Sequence, residues 1–548
     1  MSSTNYRGVL DVEATKSDEV AKSFKRDLER SDEESIISHQ IGVTEDLNRS
    51  LSTRLINMIA MAGIIGTGLF LGTGKTLAAA GPLSMLLCYA IIGGIVYLTM
   101  LSLGEMATLI PVSGSFTTYA KRFGSESFGF AILANYWFND AISVASDLTA
   151  LQIVMEYWTD FHAWIVALIF WVFLLFLNVF HVRFYGETEY WLATLKLVTI
   201  IIFFIVSIIV NAGKNPQHEY IGFKYWSLGD APFVNGFRGF ASCFVTASFA
   251  FGGVESIMIS GGELKNPVRS TPKIVKIVWI RIFVFYVLAV FFIGMNVPYN
   301  YPSLSTGGII TSPFTIVFQM AGAKAAGSFM NAVIMTSVIS AGNHALFAGS
   351  RLAFTLGTQG YFPKFITRTN RWKIPYVAVL LTWIAGGLAF GASFIGAGTL
   401  WTWLQCIVGV SNQFAWLCIG ITSIRFRQGL AKQNKTHLLK FKNWTHPWGP
   451  WVVVVLVTFI IFVQGWSAFA PWDVSAFFQS YLEVGVFPFT FIVWWVIRKG
   501  KDRFVKSKDM DFETDQYVET QEEKEQNAYA DSLTGWAKFK YNFVDNFL

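Results

Sequence analysis

Apolar stretches of 18 or more residues recur along the chain, and this recurrence restricts its fold more than any other feature. An α-helix of about 20 apolar residues crosses the ~30 Å hydrocarbon core of a bilayer. Only 14% of the residues are charged, against about 25% in soluble domains. The sequence therefore predicts an all-α integral membrane protein with 12 transmembrane helices. We place them at 55–78, 83–108, 130–157, 163–181, 189–212, 238–261, 278–298, 327–354, 375–395, 400–423, 450–470 and 477–497.

The basic residues between these spans give their orientation. With a cytosolic N-terminus, the inside segments 109–127, 182–188, 262–276, 351–374 and 425–448 carry 18 lysines and arginines. The outer side carries 5, namely Lys75, Lys214, Lys224, Arg238 and Lys324. Such an excess on the cytosolic side is typical of membrane proteins. An even number of spans then places both termini in the cytosol. The net charge of +6 follows from this topology, and it does not indicate a nucleic-acid partner.

Two polar segments flank the spans. Residues 1–54 contain no apolar stretch typical of a cleavable signal peptide, and we assign them to a cytosolic regulatory tail. Residues 499–548 form a second cytosolic tail, whose acid-rich stretch 506–532 is expected to be disordered. The four cysteines lie inside apolar spans, so neither a disulfide framework nor a metal site is predicted.

The first span is interrupted by Gly63, Gly66 and Gly68, at a depth where lipid offers the backbone no hydrogen-bond partner. Each glycine weakens a helix by up to about 1 kcal/mol relative to alanine. A half-helix that begins after such a break directs free N–H groups toward an anion such as a substrate carboxylate, and Thr67 lies within this break. Glycines at this spacing also permit close helix–helix packing. The span alone leaves both interpretations open.

The sixth span has a second interruption, where a glycine pair that includes Gly252 precedes Glu255. A carboxylate inside a membrane costs about 2.5–3.5 kcal/mol on insertion scales and usually has a function. The carbonyl groups opened at this break could accept hydrogen bonds from an ammonium group; they belong to Phe249, Ala250 and Phe251. If spans 1–5 and 6–10 are repeats, the two breaks occupy corresponding positions, as in inverted-repeat transporters. The pairing favours a substrate site over simple packing.

Two carboxylates in the third span, Asp140 and Asp147, are seven residues apart and therefore lie on nearly one helix face. Asp147 is the deeper of the two and is assigned to the substrate site. Asp140 could instead lie near the interface and solvate a helix end. A cluster of these acids with Glu255 would favour a cationic substrate or a titrating proton.

Lys196 in the fifth span lies too far into the apolar run to reach the interface easily. A buried amine can gain and lose a proton during a transport cycle, which makes Lys196 a candidate for proton coupling. The alternative is a permanent ion pair with Glu187 or Glu189. In the eighth span, Asn343 is a candidate for substrate binding, and the neighbouring histidine is either a proton relay or a structural donor.

Motifs of catalysis are missing from the sequence. It contains no phosphate-binding loop, no nucleophile elbow and no cluster of metal-ligating residues. The chain is therefore not expected to be an enzyme or to hold a cofactor or metal, and any transport would draw on an ion gradient.

In the broken spans and in several short motifs, the chain resembles the fungal amino-acid permeases of the amino acid–polyamine–organocation superfamily. The resemblance extends from about 50 to 470, and its motifs are very specific when taken together. They are MAGIIGTGLF (61–70), AGP (80–82), SLGEMAT (102–108), IPVSGSF (110–116), GETEYW (186–191), GFKYW (222–226), ELKNP (263–267), SR (350–351) and QGW (464–466).

This resemblance implies a proton–amino-acid symporter of the fungal plasma membrane that works by alternating access. It implies a ten-helix core over 55–424, with inverted five-helix repeats at about 55–212 and 238–424 and discontinuous helices 1 and 6. Helices 11 and 12 follow at 449–498. It implies that residues 66–68 bind the substrate carboxylate and that residues 249–252 bind its amino group. Lys196 matches the lysine proposed for proton coupling, and Glu255 matches a family acid just after the break in helix 6. Ubiquitin-ligase adaptors are expected partners of the cytosolic tails.

Two departures from the family pattern bear on the substrate. Asp147 stands where many relatives have glutamate, and Asp140 stands where an aromatic or apolar residue is commoner. A shorter acid leaves room for a longer substrate, and an extra acid favours a positive one. We therefore expect lysine or arginine as the substrate. A broad-range permease, an amino-acid sensor with little transport, and a channel are the alternatives, the last disfavoured because nothing indicates a continuous pore.

Overall fold

Helices form nearly all of the secondary structure in the computed structural model, which describes residues 65–112, 114–159, 162–180, 182–263, 266–304, 312–322, 324–469 and 471–535. In chain order the α-helices are α1 (Thr67–Phe70), α2 (Gly72–Leu109), α3 (Phe116–Phe123), α4 (Glu126–Met155), α5 (Ala163–Val179), α6 (Val182–Asn211), α7 (Gly236–Phe251), α8 (Pro267–Arg281), α9 (Ala289–Asn296), α10 (Pro313–Met320), α11 (Lys324–Thr358), α12 (Tyr376–Ala385), α13 (Ala392–Ile395), α14 (Ala397–Lys432), α15 (Trp448–Val463), α16 (Val474–Ile497) and α17 (Gln521–Ser532). A 3-10 helix, Glu255–Glu263, follows α7, and a π-helical turn, Ile282–Leu288, joins α8 to α9. These described ranges contain no β-strand.

The lengths and apolarity of the helices fit a protein that crosses a membrane several times. Among the described residues, eight helical segments are long and apolar enough to do so, and α5 is a shorter apolar helix. Each expected segment from 83–108 onward coincides with a helix. The expected N-terminal tail 1–54, Gly63 and the beginning of the first span lie outside the described residues.

Helix α4 lies at the centre of the molecule, packed along α11 and α14. Most of its residues are buried, and they include several polar ones, Asn135, Asn139, Asp140, Asp147 and Gln152. Lipid would leave these groups without partners, whereas neighbouring helices can bind them. The polar content of α4 therefore reflects its place inside the helix bundle.

Some predicted helix boundaries were wrong. The seventh segment begins at Pro267 rather than at 278, because the side chain of Asn266 accepts a hydrogen bond from the Arg269 amide and proline is suited to the first helical position. The first two segments are separated only by Gly81, whose φ of 83° interrupts α2.

The C-terminal residues 502–517, which we call the tail segment, lie against the helices, so the prediction of disorder over 506–532 was wrong. The Val505 amide donates to the Gly124 carbonyl at 2.8 Å, and the Gln433 side chain donates to the Met510 carbonyl at 2.8 Å. Phe512 is only 1% exposed. Its ring stacks on Phe123 with centroids 5.4 Å apart. Ordering this segment costs conformational entropy, and an acid-rich composition by itself buries too little apolar surface to offset that cost. Here the buried Phe512 ring and the backbone hydrogen bonds offset it.

The tail segment also caps the central helix. Asp502 accepts hydrogen bonds from the amides of Glu126 and Ser127, at 3.2 and 2.7 Å, at the first residues of α4. Partial burial by itself would raise the pKa of Asp502, but these donors outweigh it and hold the pKa below its ordinary value. The tail segment is thus bonded to the helix that carries Asp140 and Asp147.

We expect Phe512→Ala to release the tail segment. Truncating a fully buried phenylalanine costs about 3–5 kcal/mol, enough to raise the released population by roughly 100-fold or more. Limited trypsin digestion of the purified protein, followed at Lys506 and Lys508, measures this release. Val518→Ala is the matched control, because Val518 is 63% exposed and should leave the cleavage rate unchanged. Equal cleavage rates in both variants would show that Phe512 does not hold the tail segment.

Candidate functional site

In the described part of the first predicted span, helix begins only after Gly66. Gly66 has an extended backbone, with φ −136° and ψ −153°, and α1 begins at Thr67. The first hydrogen bonds of this short helix run from the amides of Leu69 and Phe70 to the Gly66 carbonyl. The amides of Thr67 and Gly68 therefore precede the helical ladder, which is the arrangement that can serve an anionic group.

The same glycines make close helix contacts. A Cβ atom at Gly68 would lie 2.8 Å from the Ala250 Cβ, and closer still to the Ala250 Cα, so the first and sixth spans touch backbone to backbone. A Cβ at Gly66 would lie 2.9 Å from the Ala341 Cβ of α11. The glycines therefore allow close helix packing, which was one interpretation of their spacing. The same close approach to α7 is needed if the two spans are to share a substrate cavity, which was the other interpretation.

The sixth span is broken after Phe251, where α7 ends. Gly253 has a φ of +88°, which glycine adopts at little cost, and the chain continues as the 3-10 helix from Glu255. Tyr286, from the π-helical turn, donates to the Ala250 carbonyl at 2.9 Å and stacks on Phe251 with centroids 4.1 Å apart. Tyr286 thereby satisfies one of the carbonyls that the break leaves open.

A polar cavity of about 60 Å³ lies between the two breaks and is closed by α4, α11 and α14. One water molecule needs roughly 10–15 Å³, so the cavity has room for several waters or for the polar end of a small molecule. Seven of the predicted site residues line it, namely Gly66, Thr67, Gly68, Asp147, Phe249, Ala250 and Gly252. Asp140 and His344 line it as well.

The two aspartates of α4 have different surroundings. Asp147 accepts a hydrogen bond from the Thr67 hydroxyl at 2.8 Å, which ties the central helix to the first break. Asp140 is 6% exposed, and its Oδ2 atom has no hydrogen-bond partner among the described residues. The structure thus places Asp140 in the wall of the cavity.

Lys196 lies outside the cavity lining, in a buried network between the first break and α11. Its Nζ donates to the Ile65 carbonyl at 2.9 Å and to the Ser340 hydroxyl at 3.0 Å. Ser340 in turn donates to Glu189 Oε2 at 2.6 Å. Glu189 is therefore connected to the lysine through a hydroxyl, whereas Glu187 is exposed. A proton gained or lost at Lys196 would change its hydrogen bonds to the break.

Three further predicted site residues also lie outside the lining. Asn343 donates to Glu189 Oε1 at 2.7 Å and so belongs to the lysine network. Glu255 Oε1 accepts from the Tyr136 hydroxyl at 2.8 Å. Phe251 is fully buried against Tyr286. His344 Nε2 lies 2.8 Å from Ser256 Oγ, one residue beyond Glu255.

Sequence reasoning missed the contribution of α14. Asn412 lines the cavity, accepts a hydrogen bond from Asn139 at 2.9 Å and donates to the Ser248 carbonyl at 3.2 Å. Three consecutive polar residues inside an apolar span, Ser411 to Gln413, could have indicated that α14 contributes to the site.

The chain is similar to several known proteins. Residues 56–507 match the family model described as amino acid permease. The chain is 39% identical to a probable amino-acid permease of Schizosaccharomyces pombe, over 86% of this chain and 96% of the relative. It is 38% identical to the lysine-specific permease LysP of Escherichia coli, over 85% and 96% of the two chains. It is also 38% identical to the lysine-specific permease of Saccharomyces cerevisiae, over 88% and 82%.

Proposed function

Because the chain belongs to the amino acid permease family, a family of multi-pass membrane transporters, we propose that it imports lysine and arginine across the plasma membrane together with protons. The observation that carries the proposal is a cavity between the helix start after Gly66 and the helix end at Phe251, with two aspartates in its wall. Broken helices at mid-membrane depth are where secondary transporters bind substrate.

The proposed architecture has 12 transmembrane helices and a core of two inverted five-helix repeats, 55–212 and 238–424, followed by helices 11 and 12 at 449–498. Helices 1 and 6 are discontinuous in this scheme, with breaks at Gly66 and after Phe251. Both termini lie in the cytosol. The contact between Gly68 and Ala250 supports this pairing, since it joins corresponding elements of the two repeats.

In the proposed site, the amides of Thr67 and Gly68 bind the α-carboxylate. The α-ammonium is bound by the carbonyls at 249–252 and by Asp147. Because Asp147 already accepts from Thr67, it is held beside the carboxylate end and can stabilise the neighbouring ammonium. Transport then follows from rocking of the helices around this site, which exposes it to one side of the membrane at a time.

Proton coupling is assigned to Lys196, with Glu255 as a second group. A charged Lys196 donates to the Ile65 carbonyl and so ties the first break to α11, and loss of its proton would weaken this tie. Glu255 is 1% exposed beside the second break, where its protonation would alter its bond with Tyr136. Asn343 supports the site indirectly, through Glu189.

Uptake needs the amino acid, a proton gradient and the bilayer, with no cofactor, metal or nucleic acid and no enzymatic step. Ubiquitin-ligase adaptors acting on the cytosolic tails are proposed to control the amount of protein at the membrane.

Competition uptake in a yeast strain without its own permeases tests the proposal. We expect unlabelled lysine and arginine to block uptake of labelled lysine, and neutral amino acids to compete weakly. Strong competition by neutral amino acids would instead support a broad-range permease. Accumulation of lysine in vesicles with an imposed pH gradient separates a symporter from a sensor, because a sensor binds lysine without concentrating it.

A further inference from the structure

We infer that Asp140 binds the side-chain cation of the substrate, and that Asp147 serves its α-amino end. The inference rests on the proposed transport of basic amino acids and deepens it by assigning the residue that selects their side chain.

The partners of the two carboxylates support different roles. Asp147 is engaged by Thr67 at the first break, where the substrate backbone is proposed to bind. Asp140 lines the same cavity, and its buried Oδ2 atom has no protein partner in the described part of the chain. A buried, unpaired carboxylate oxygen is costly, and a ligand cation would relieve that cost.

The spacing of the two acids suits a diamine. Seven residues of α-helix separate them by about 10.5 Å along the axis of α4, on nearly the same face. The α-amino and ε-amino groups of extended lysine are about 7 Å apart, judged from ordinary bond lengths. A hydrogen bond of about 2.8 Å at each end of the ligand can cover the difference.

Packing behind Asp140 keeps it directed at the cavity. A Cβ atom at Gly349 of α11 would lie 2.9 Å from the Asp140 Cβ, so α11 closes that side. Tyr136, one turn earlier on α4, donates its hydroxyl to Glu255, so it is committed to a different carboxylate. Asp140 therefore remains available to a ligand in the cavity.

The test compares uptake of lysine and norleucine, which has the lysine side chain without the ammonium group. We expect the unmodified protein to favour lysine strongly. Asp140→Asn should lower the lysine-to-norleucine ratio of kcat/KM by roughly 30-fold or more, through loss of lysine uptake, since truncating one partner of a buried charge pair is costly. Asp147→Asn should lower uptake of both compounds. Asp230→Asn, in an exposed loop, should change neither.

A second variant tests the length of the acidic side chain at position 140 as well as its charge. Asp140→Glu keeps the carboxylate and extends it by one methylene, so the preference should move toward ornithine, which is shorter than lysine by one methylene. One methylene is worth roughly 10-fold or more in such sites. This variant also provides the test if Asp140→Asn does not reach the membrane.

The results distinguish the two proposals. An unmodified protein that takes up norleucine as readily as lysine contradicts the basic substrate and the role of Asp140 together. A lysine-selective protein whose lysine-to-norleucine ratio survives Asp140→Asn keeps the proposed function and overturns the role of Asp140. An unchanged ornithine-to-lysine ratio in Asp140→Glu overturns it as well.

Discussion

Lys196→Met is expected to abolish the accumulation of amino acid driven by a pH gradient, while exchange of internal for external substrate persists in part. Methionine cannot donate to the Ile65 carbonyl or the Ser340 hydroxyl. The proton-dependent hydrogen bonds between the first break and α11 are therefore lost. Exchange can continue because Lys196 does not line the cavity. Reconstituted vesicles with and without an imposed pH gradient measure the two activities separately.

Lys224→Met is the matched control for this prediction. Lys224 pairs with Glu219 in an exposed loop, at 2.9 Å, and exposed pairs contribute little. Its removal should leave both accumulation and exchange intact. If accumulation survives Lys196→Met, the lysine is a structural donor to the break and the proton must be carried elsewhere.

Gly68→Ala is expected to reduce transport by at least about 100-fold although the protein still reaches the membrane. Alanine favours helix more than glycine by about 1 kcal/mol, so local propensity alone would not predict harm. The added Cβ, however, would overlap the backbone of Ala250, which cannot move without displacing the second break. Separation of the two breaks would distort the cavity, and an error of about 1 Å in positioning can cost 100-fold.

Gly94→Ala is the control, since the space around the Gly94 Cβ position is open to 4 Å in the described structure. A fluorescent fusion measures the amount of each variant at the membrane, and initial uptake rates are divided by that amount. Normal uptake by Gly68→Ala would show that the contact with Ala250 can relax without loss of function.

Local sequence was enough to locate the helix start after Gly66 and the helix end at Phe251. Glycine-rich interruptions in apolar runs, at Gly66 and at Gly252, depend on backbone properties that neighbouring residues determine. The sequence also indicated that Asp147 and Lys196 are buried, because both lie deep inside apolar segments. These expectations needed no knowledge of which helices touch.

Pairing between distant residues could not be predicted in the same way. Thr67 bonds to Asp147 across 80 positions, and Ser340 bonds to Glu189 across 151. Each serine or threonine could equally have bonded to its own helix backbone, as Thr73 does. Only the packing of α4 and α11 decides between these partners. For the same reason, the availability of Asp140 to a ligand became evident only with its neighbours in place.

The docking of the tail segment has a consequence for how the protein is made. Residues 502–517 are synthesised after α1 to α16, so Phe123 and Phe426 gain contact with Phe512 only once those helices have been made. A chain that stopped after α16 would leave these rings less covered and α4 without the Asp502 cap. Exposed apolar surface of this kind is what chaperones and proteases bind. Docking of the tail segment therefore covers apolar surface that a chain ending after α16 would expose.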